Sequence, residues 1–247
     1  GINPNILYLV DDDQGVEAID ISDKNNPTGI WKFAPGDNQG SGPDRRIGTD
    51  FIQLTDNLFA ISLRGNHQLE GDKDKVQIFT VVESDMNTDL RLYEPTYEIQ
   101  ILSEFNILYD EDDNPNNYNQ ELGGDYKLAF NPSNNNLLVS ASGLGIWSYD
   151  ISNPSTPEQL DFIHRYENGD IGVIYDLEIS SQNKNLLLAG SSYGISQIDI
   201  TNPSEIKLIN TQGSDVYSEV EDIAFSPDGK FVYTVGNRYG LEAVSYT

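Results

Sequence analysis

Oxygen-bearing side chains crowd one segment, Asp110-Glu-Asp112-Asp-Asn114-Pro-Asn116-Asn-Tyr-Asn-Gln-Glu121. Asp110, Asp112, Asn114 and Glu121 stand at relative positions 1, 3, 5 and 12, the spacing with which an EF-hand loop turns carboxylates and carbonyls toward calcium. Pro115 takes the place where that loop uses glycine for its sharp turn, and no flanking helices are evident, so a solvated acidic loop is the competing reading. Asp11, Asp13 and the pair Asp72 and Asp74 are fainter versions of the same pattern. A second constellation comes from position rather than clustering. Asp50, Asp176 and Asp222 each open a similar pair of apolar runs, with Lys127 at the fourth such place and Asp125 two residues before it. Facing inward together, these carboxylates would form a ring able to hold a cation or waters. The alternative is a set of strand-start aspartates bonded to neighbouring backbone amides.

Nucleophilic and metal-assisted catalysis find little footing. The only histidines are His67, in a polar loop, and His164, at the end of an apolar run, and neither suggests a triad or a zinc cluster. No nucleophile elbow, phosphate loop or dinucleotide fingerprint is present.

The elements that must position these residues are repeats. Gly15-Val-Glu-Ala-Ile-Asp20-Ile-Ser-Asp23 returns as Gly145-Ile-Trp-Ser-Tyr-Asp150-Ile-Ser-Asn153 and as Gly194-Ile-Ser-Gln-Ile-Asp199-Ile-Thr-Asn202, with a worn copy at Gly240-Leu-Glu-Ala-Val244. Each copy reads as a turn glycine, a half-buried strand, and a polar cluster that closes a turn. Upstream of each lies a hairpin: Asp222 to Val235 around Pro227-Asp228-Gly229, Leu128 to Ala141, Leu177 to Ala189, and Phe51 to Leu63. One more apolar run follows, as in Gln159 to Ile163 and Glu205 to Ile209. Four short strands per unit predict an all-β fold, a β-propeller of four-stranded antiparallel blades.

The expected organisation is one propeller domain over 1–247, with blades near 1–35, 47–102, 125–165, 172–212 and 219–247 and an acidic insertion at 103–124. Naming the strands of a blade A to D from the axis outward, the first unit starts at B and the last stops after C. Either the seam is irregular or the residues belong to a longer chain with more blades; a start at Gly1 rather than methionine is compatible with a processed or partial chain. Trp31, Trp147, Phe79 and Phe162 fall on C or D strands, where packing between blades is their expected role. Tyr193 and Tyr239 fall at matching B-to-C positions.

The motif Val-Glu-Ala-Ile-Asp20, Ile-Trp-Ser-Tyr-Asp150 and Ile-Ser-Gln-Ile-Asp199, followed by Ile-Ser/Thr-Asn/Asp and then Pro27, Pro154 or Pro203, resembles the LVIVD repeat of β-propellers. The central positions are more polar than the family pattern, and the second unit, Val76-Gln-Ile-Phe-Thr80, lacks the Asp. The resemblance implies a secreted or surface propeller whose motif is structural, and it implies no catalytic residue.

Composition bounds the rest. A chain of 247 residues buries roughly 70 to 75% of its unfolded surface on folding, so neither a metal nor a disulfide is required. No cysteine is present, which removes thiol chemistry. No apolar run approaches a membrane span, no signal peptide stands in this stretch, and no glycosylation sequon occurs. Forty acidic against fourteen basic residues give a net charge of −26, which disfavours nucleic acid and anionic membrane surfaces and suits cations or basic partners. Acidity that merely keeps the protein soluble is the plainer account.

The elaborated loops are D-to-A and B-to-C connections: Asp11 to Asp13, Pro35 to Arg46, Arg64 to Asp74, Ser103 to Gly124 and Arg165 to Asp170. The opposite set is short and repeat-like, apart from Glu83 to Glu94. Function tends to be grafted on the loops that depart from a repeat. The expected function is therefore a non-enzymatic, extracellular or cell-surface interaction module that presents an acidic loop face to a protein partner or to another copy, with calcium as the candidate cation. The alternative is a propeller hydrolase, acting on a glycoside or a lactone through Asp50, Asp176 and Asp222.

Overall fold

The computed structural model describes residues 3–11, 15–33, 47–64, 74–84, 96–107, 126–141, 143–165, 171–212, 219–236 and 240–245. Every regular element among them is a strand. The chain divides into two compact units, Gly1–Leu108 and Tyr109–Thr247.

The first unit holds two antiparallel sheets. β1 (Ile6–Asp11), β2 (Gly15–Asp20) and β3 (Thr28–Phe33) form a three-stranded one; β4 (Ile47–Gln53), β5 (Leu58–Arg64), β6 (Lys75–Ser84) and β7 (Thr96–Asn106) form a four-stranded one. The second unit holds three. The third sheet is β8 (Tyr126–Asn131), β9 (Asn136–Ala141), β10 (Gly145–Asp150) and β11 (Glu158–His164). The fourth is β12 (Ile174–Ile179), β13 (Leu186–Ser191), β14 (Gly194–Asp199) and β15 (Lys207–Gln212). The fifth is β16 (Asp222–Phe225), β17 (Phe231–Gly236) and β18 (Gly240–Ser245). In all five, strands adjacent in sequence pair antiparallel, so each sheet is a meander and each is a blade. The fold is all-β, five blades of three or four antiparallel strands in a propeller arrangement.

Apolar side chains bind sheet to sheet within each unit. In the first unit an aromatic cluster does this: Tyr8 and Trp31 of the first sheet meet Phe51, Phe59 and Phe79 of the second, with Trp31 edge-on to Phe59 at 5.4 Å between ring centres. In the second unit aliphatic residues dominate. Leu138 and Ile146 of the third sheet share a core with Ile174, Leu177, Leu187 and Ala189 of the fourth, and Leu186 and Leu188 share another with Ile223 and Val232 of the fifth. Trp147 and Phe162 differ from Trp31: they stack at 4.3 Å as a cross-strand pair inside the third sheet.

The repeated polar motif is a turn-building device. Asp20, Asp150 and Asp199 end their strands and accept the backbone N–H of Ser22, Ser152 and Thr201 at 2.7, 2.8 and 2.8 Å. Asp23, Asn153 and Asn202 do the same for Asn25, Ser155 and Ser204 at 3.0, 3.3 and 3.2 Å. Two consecutive Asx turns thus carry the chain from C strand to D strand. The hydrogen bonds from Ser22, Ser152 and Thr201 hold the three strand-end carboxyls below the usual carboxylate range. Each completed C–D pair also carries one bulge near the same point, after Ala18, Ile78, Ser148 and Gln197.

The glycine that opens the motif is required by its backbone. Gly145 has φ +148°, and a Cβ there would collide with the carbonyl of Ile163 and press on the Phe162 ring. Gly145→Ala is expected to cost roughly 1–3 kcal/mol from backbone strain alone, and more from the collision, read as a lower urea midpoint.

Candidate functional site

The aspartates that recur in sequence share one structural address. Asp50 pairs with Ser62, Lys127 with Ser140, Asp176 with Gly190 and Asp222 with Val235, each on the first strand of its sheet. A register shift just before Asp50, and again just before Asp176, sets the local direction of both strands. β12 packs between β8 and β16, so Lys127, Asp176 and Asp222 lie on three neighbouring inner strands of the second unit. Asp50 lies on β4 of the first unit, where its backbone carbonyl accepts the Ser62 hydroxyl at 3.3 Å.

The structure brings Asp176 and Asp222 together. Oδ2 of Asp176 accepts the backbone N–H of Ile223 at 2.9 Å, bridging the fourth sheet to the fifth, and its carboxyl shares a hydrogen bond with that of Asp222. Burial first, then the Asp222 carboxyl, raise Asp176 from 3.8 to about 6, against the lowering effect of the Ile223 and Leu177 amides. Glu178, two residues along β12 and therefore on the same side of the strand, joins the pair. Burial, followed by the charge of Asp176, pushes Glu178 up to about 7, partly countered by Lys184. On the other side of Asp176, Tyr175 is raised to about 12 by burial, then by its hydrogen bond to Glu219 and the charges of Glu219 and Glu221.

The cluster can trade protons near neutrality. Asp176 and Glu178 hold protons that exposed carboxyls would have lost. Among the described residues, no group of three acidic or histidine side chains has the geometry to hold a metal ion. The bond to Ile223 shows that at least one strand-start aspartate serves a neighbouring backbone amide. Glu178 was missing from the sequence constellation, although the two-residue period of a strand starting at Asp176 would have found it.

Similar bridges stitch the second unit elsewhere. Asn131 donates to the Lys184 carbonyl at 2.7 Å, Ser148 to the Pro203 carbonyl at 2.7 Å, and Asp161 accepts the Ile206 amide at 2.7 Å. A shallow groove of about 270 Å³ lies between the fourth and fifth sheets, lined by Ile195, Gln212, Glu219, Thr234, Glu242 and Val244. The calcium-loop candidates Asp110, Asp112, Asn114 and Glu121 lie outside the described residues, as do Asp13, Asp72, Asp125, His67, Tyr239 and most of the elaborated loops. Asp74 is fully buried, with its carbonyl accepting the Ile107 amide at 3.2 Å. His164 ends β11 with its ring edge-on to Phe162.

These sheets define a β-propeller, and solved structures agree. A functionally unknown protein from Desulfotomaculum acetoxidans matches with a TM-score of 0.62 and 14% identity, over 100% of this chain and 64% of that one. A protein from Lactobacillus plantarum matches with a TM-score of 0.67 and 15% identity, over 98% and 64%. The β-propeller domain of Cps50 (Swd1) from Myceliophteria thermophila matches with a TM-score of 0.61 and 12% identity, over 99% and 68%. The chain thus spans 64 to 68% of the length of these three chains, and at such identities the likeness is one of fold. No family model matches the chain and no curated protein matches it in sequence, so the resemblance to LVIVD repeats stands on the motif residues.

Proposed function

We propose that the chain is a non-enzymatic interaction module of the extracellular space or cell surface. Its blades present acidic loops to a protein partner or to another copy, with calcium bridging through Asp110, Asp112, Asn114 and Glu121. What carries this reading is the division of labour among polar residues. The repeated Asp and Asn side chains are spent on Asx turns, and Asp176 on a blade-to-blade bond. Much of the surplus behind a net charge of −26 falls instead to the loops that break the repeat. Light scattering at physiological salt, in millimolar calcium and then in excess EDTA, tests it. The expected result is assembly that chelator reverses and that Asp112→Asn with Glu121→Gln abolishes; assembly indifferent to chelator would remove calcium from the account.

One observation favours the hydrolase as a second reading. Asp176 and Glu178, raised to about 6 and about 7 on one side of an inner strand, have the proton affinities that general acid–base chemistry uses. Hydrolysis of a chromogenic glycoside or lactone that survives purification, and disappears in Asp176→Asn with Asp222→Asn, would establish the enzyme and displace the interaction module.

A further inference from the structure

One register of the inner strands breaks the pattern of the repeat. Ile52, Ala129, Glu178 and Ala224 each stand two residues after the strand-start position, opposite Ala60, Leu138, Leu188 and Tyr233. In the third sheet this register serves packing, since Ala129 and Leu138 both lie in the core shared with the fourth sheet. In the fourth sheet Leu188 packs in the same way toward the fifth, in a core with Leu186, Ile223 and Val232. Its cross-strand partner, however, is a carboxylate. Glu178 therefore stands at the inner margin of an apolar contact between two sheets, at the register where the preceding contact has the methyl group of Ala129.

The fourth and fifth sheets approach closely here. Val220 donates its N–H to the Ser191 carbonyl at 3.0 Å, Ile223 donates to Oδ2 of Asp176 at 2.9 Å, and a Cβ on Gly190 would stand 3.0 Å from the Val220 carbonyl oxygen. Such a seam has little room for the water that an ionised carboxyl needs. The charges around it are unbalanced. Asp176 on β12, Asp222 on β16, and Glu219 and Glu221 just before β16 are acidic; Lys184 in the β12–β13 turn and Lys127 on β8 are the cations. Tyr175 is bonded to Glu219, Asp228 and Lys230 of the β16–β17 turn pair with each other, and β9 and β13, which also pack on β12, carry no charged side chain. Asp176 is compensated, because the amides of Ile223 and Leu177 favour its ionised form. Glu178 has no such amide: burial and the charges of Asp176 and Asp222 favour its neutral form, and Lys184 opposes them.

We propose that the seam between the fourth and fifth sheets is a proton-operated latch: closed while Glu178 is neutral, it opens when Glu178 ionises and its carboxylate turns out to water, parting β16 from β12 and uncovering Leu188, Ile223 and Val232. A neutral carboxyl fits beside Leu188 as a small side chain; an ionised one must leave the contact or draw water into it. Glu178 is pushed up to about 7, so the latch is closed in mildly acidic solution and loosens as pH rises through neutrality. The bonds from Ile223 to Asp176 and from Val220 to Ser191 are what opening breaks. The latch uses neither the acidic loops nor calcium, so it and the interaction-module reading fail separately.

Amide hydrogen exchange in EDTA at pH 5 and pH 8, corrected for the intrinsic chemical rate, is the test. The amides of Val220 and Ile223 report on the seam. The amide of Ile206, held by Asp161 of the third sheet at 2.7 Å, reports on a sheet-to-sheet contact that lacks Glu178. The expected result is that protection of Val220 and Ile223 falls about tenfold or more from pH 5 to pH 8, while that of Ile206 changes by less than about threefold. Glu178→Ala, which sets at this register the side chain that Ala129 supplies in the third sheet, should keep both seam amides as protected at pH 8 as at pH 5. Near-UV circular dichroism checks folding, and Glu178→Gln, of the same size without the charge, replaces that variant if the spectrum is lost. Equal protection of Val220 and Ile223 at the two pH values, a fall shared by Ile206, or a pH dependence that survives loss of the Glu178 charge would each overturn the proposal.

Discussion

Trp147→Ala is expected to lower the stability of the second unit by about 3–5 kcal/mol, as large-to-small changes at buried aromatic positions do. Trp147 is fully enclosed on β10, opposite Val139 of β9 and Phe162 of β11, with its indole stacked on the Phe162 ring at 4.3 Å. Truncation removes that stack and leaves a void that β-sheet backbone on both sides cannot close. Domains are stable by only about 5–15 kcal/mol, so the loss is a large share of the total, on the order of 10 °C in melting temperature. Trp147→Phe keeps a ring in the stack and should recover more than half of it. The chain holds two tryptophans, so the Ala variant leaves Trp31 as the only indole, and its fluorescence then follows the first unit alone. Far-UV circular dichroism and Trp31 emission together read the two units separately. A change below about 1 kcal/mol would mean that the Trp147–Phe162 stack contributes little to the second unit.

The blades were legible in the sequence because each level of the code repeats. The motif glycine, the alternating strand and the Asp-x-Ser/Thr-Asx closure recur with matching spacing, and the two Asx turns they build at Asp20–Asp23, Asp150–Asn153 and Asp199–Asn202 are short-range, set by side chains two residues from their partners. The equivalence of Asp50, Asp176 and Asp222 was legible for the same reason. What was not legible is where a register meets its neighbour. That Asp176 bonds the Ile223 amide, 47 residues on, depends on how the fourth blade leans on the fifth. That Trp147 stacks within its own sheet while Trp31 packs across to Phe59 depends on which side of the pleat each occupies. The bulge before Asp176 bears on this, because an extra residue in a strand changes which side chains share a face. Glu178 is legible only through the two-residue period of a strand that starts at Asp176, because a lone carboxylate in a half-buried strand carries little signal by itself.

The second large effect is on pH. A carboxyl whose folded pKa lies above its unfolded value binds more protons in the folded state, so folding is favoured at low pH and that contribution is lost as pH rises through the folded value. Asp176 goes from 3.8 to about 6 and Glu178 from 4.5 to about 7, so stability should fall between about pH 4 and pH 7. Asp176 contributes on the order of 2–3 kcal/mol in this way, and Glu178 less than its raised value alone would give, because solvent screens it. Asp20, Asp150 and Asp199 act in the opposite sense: their depressed values make their turns weaken only as pH drops below the ordinary aspartate range. The two sets place maximum stability on the acidic side of neutral. Thermal melts from pH 4 to pH 8 should therefore show a falling midpoint. Glu178→Gln should raise the midpoint at pH 8 and flatten the slope, since an uncharged amide replaces a carboxylate forced to ionise beside Asp176. Asp176→Asn keeps an oxygen for the Ile223 amide and should flatten the slope further. A slope unchanged in both variants would assign the pH dependence to the overall charge of −26. A stabilised Glu178→Gln would mark the inner-strand carboxyls as groups the fold holds at a cost, and the hydrolysis assay on that variant would then show whether the cost serves catalysis.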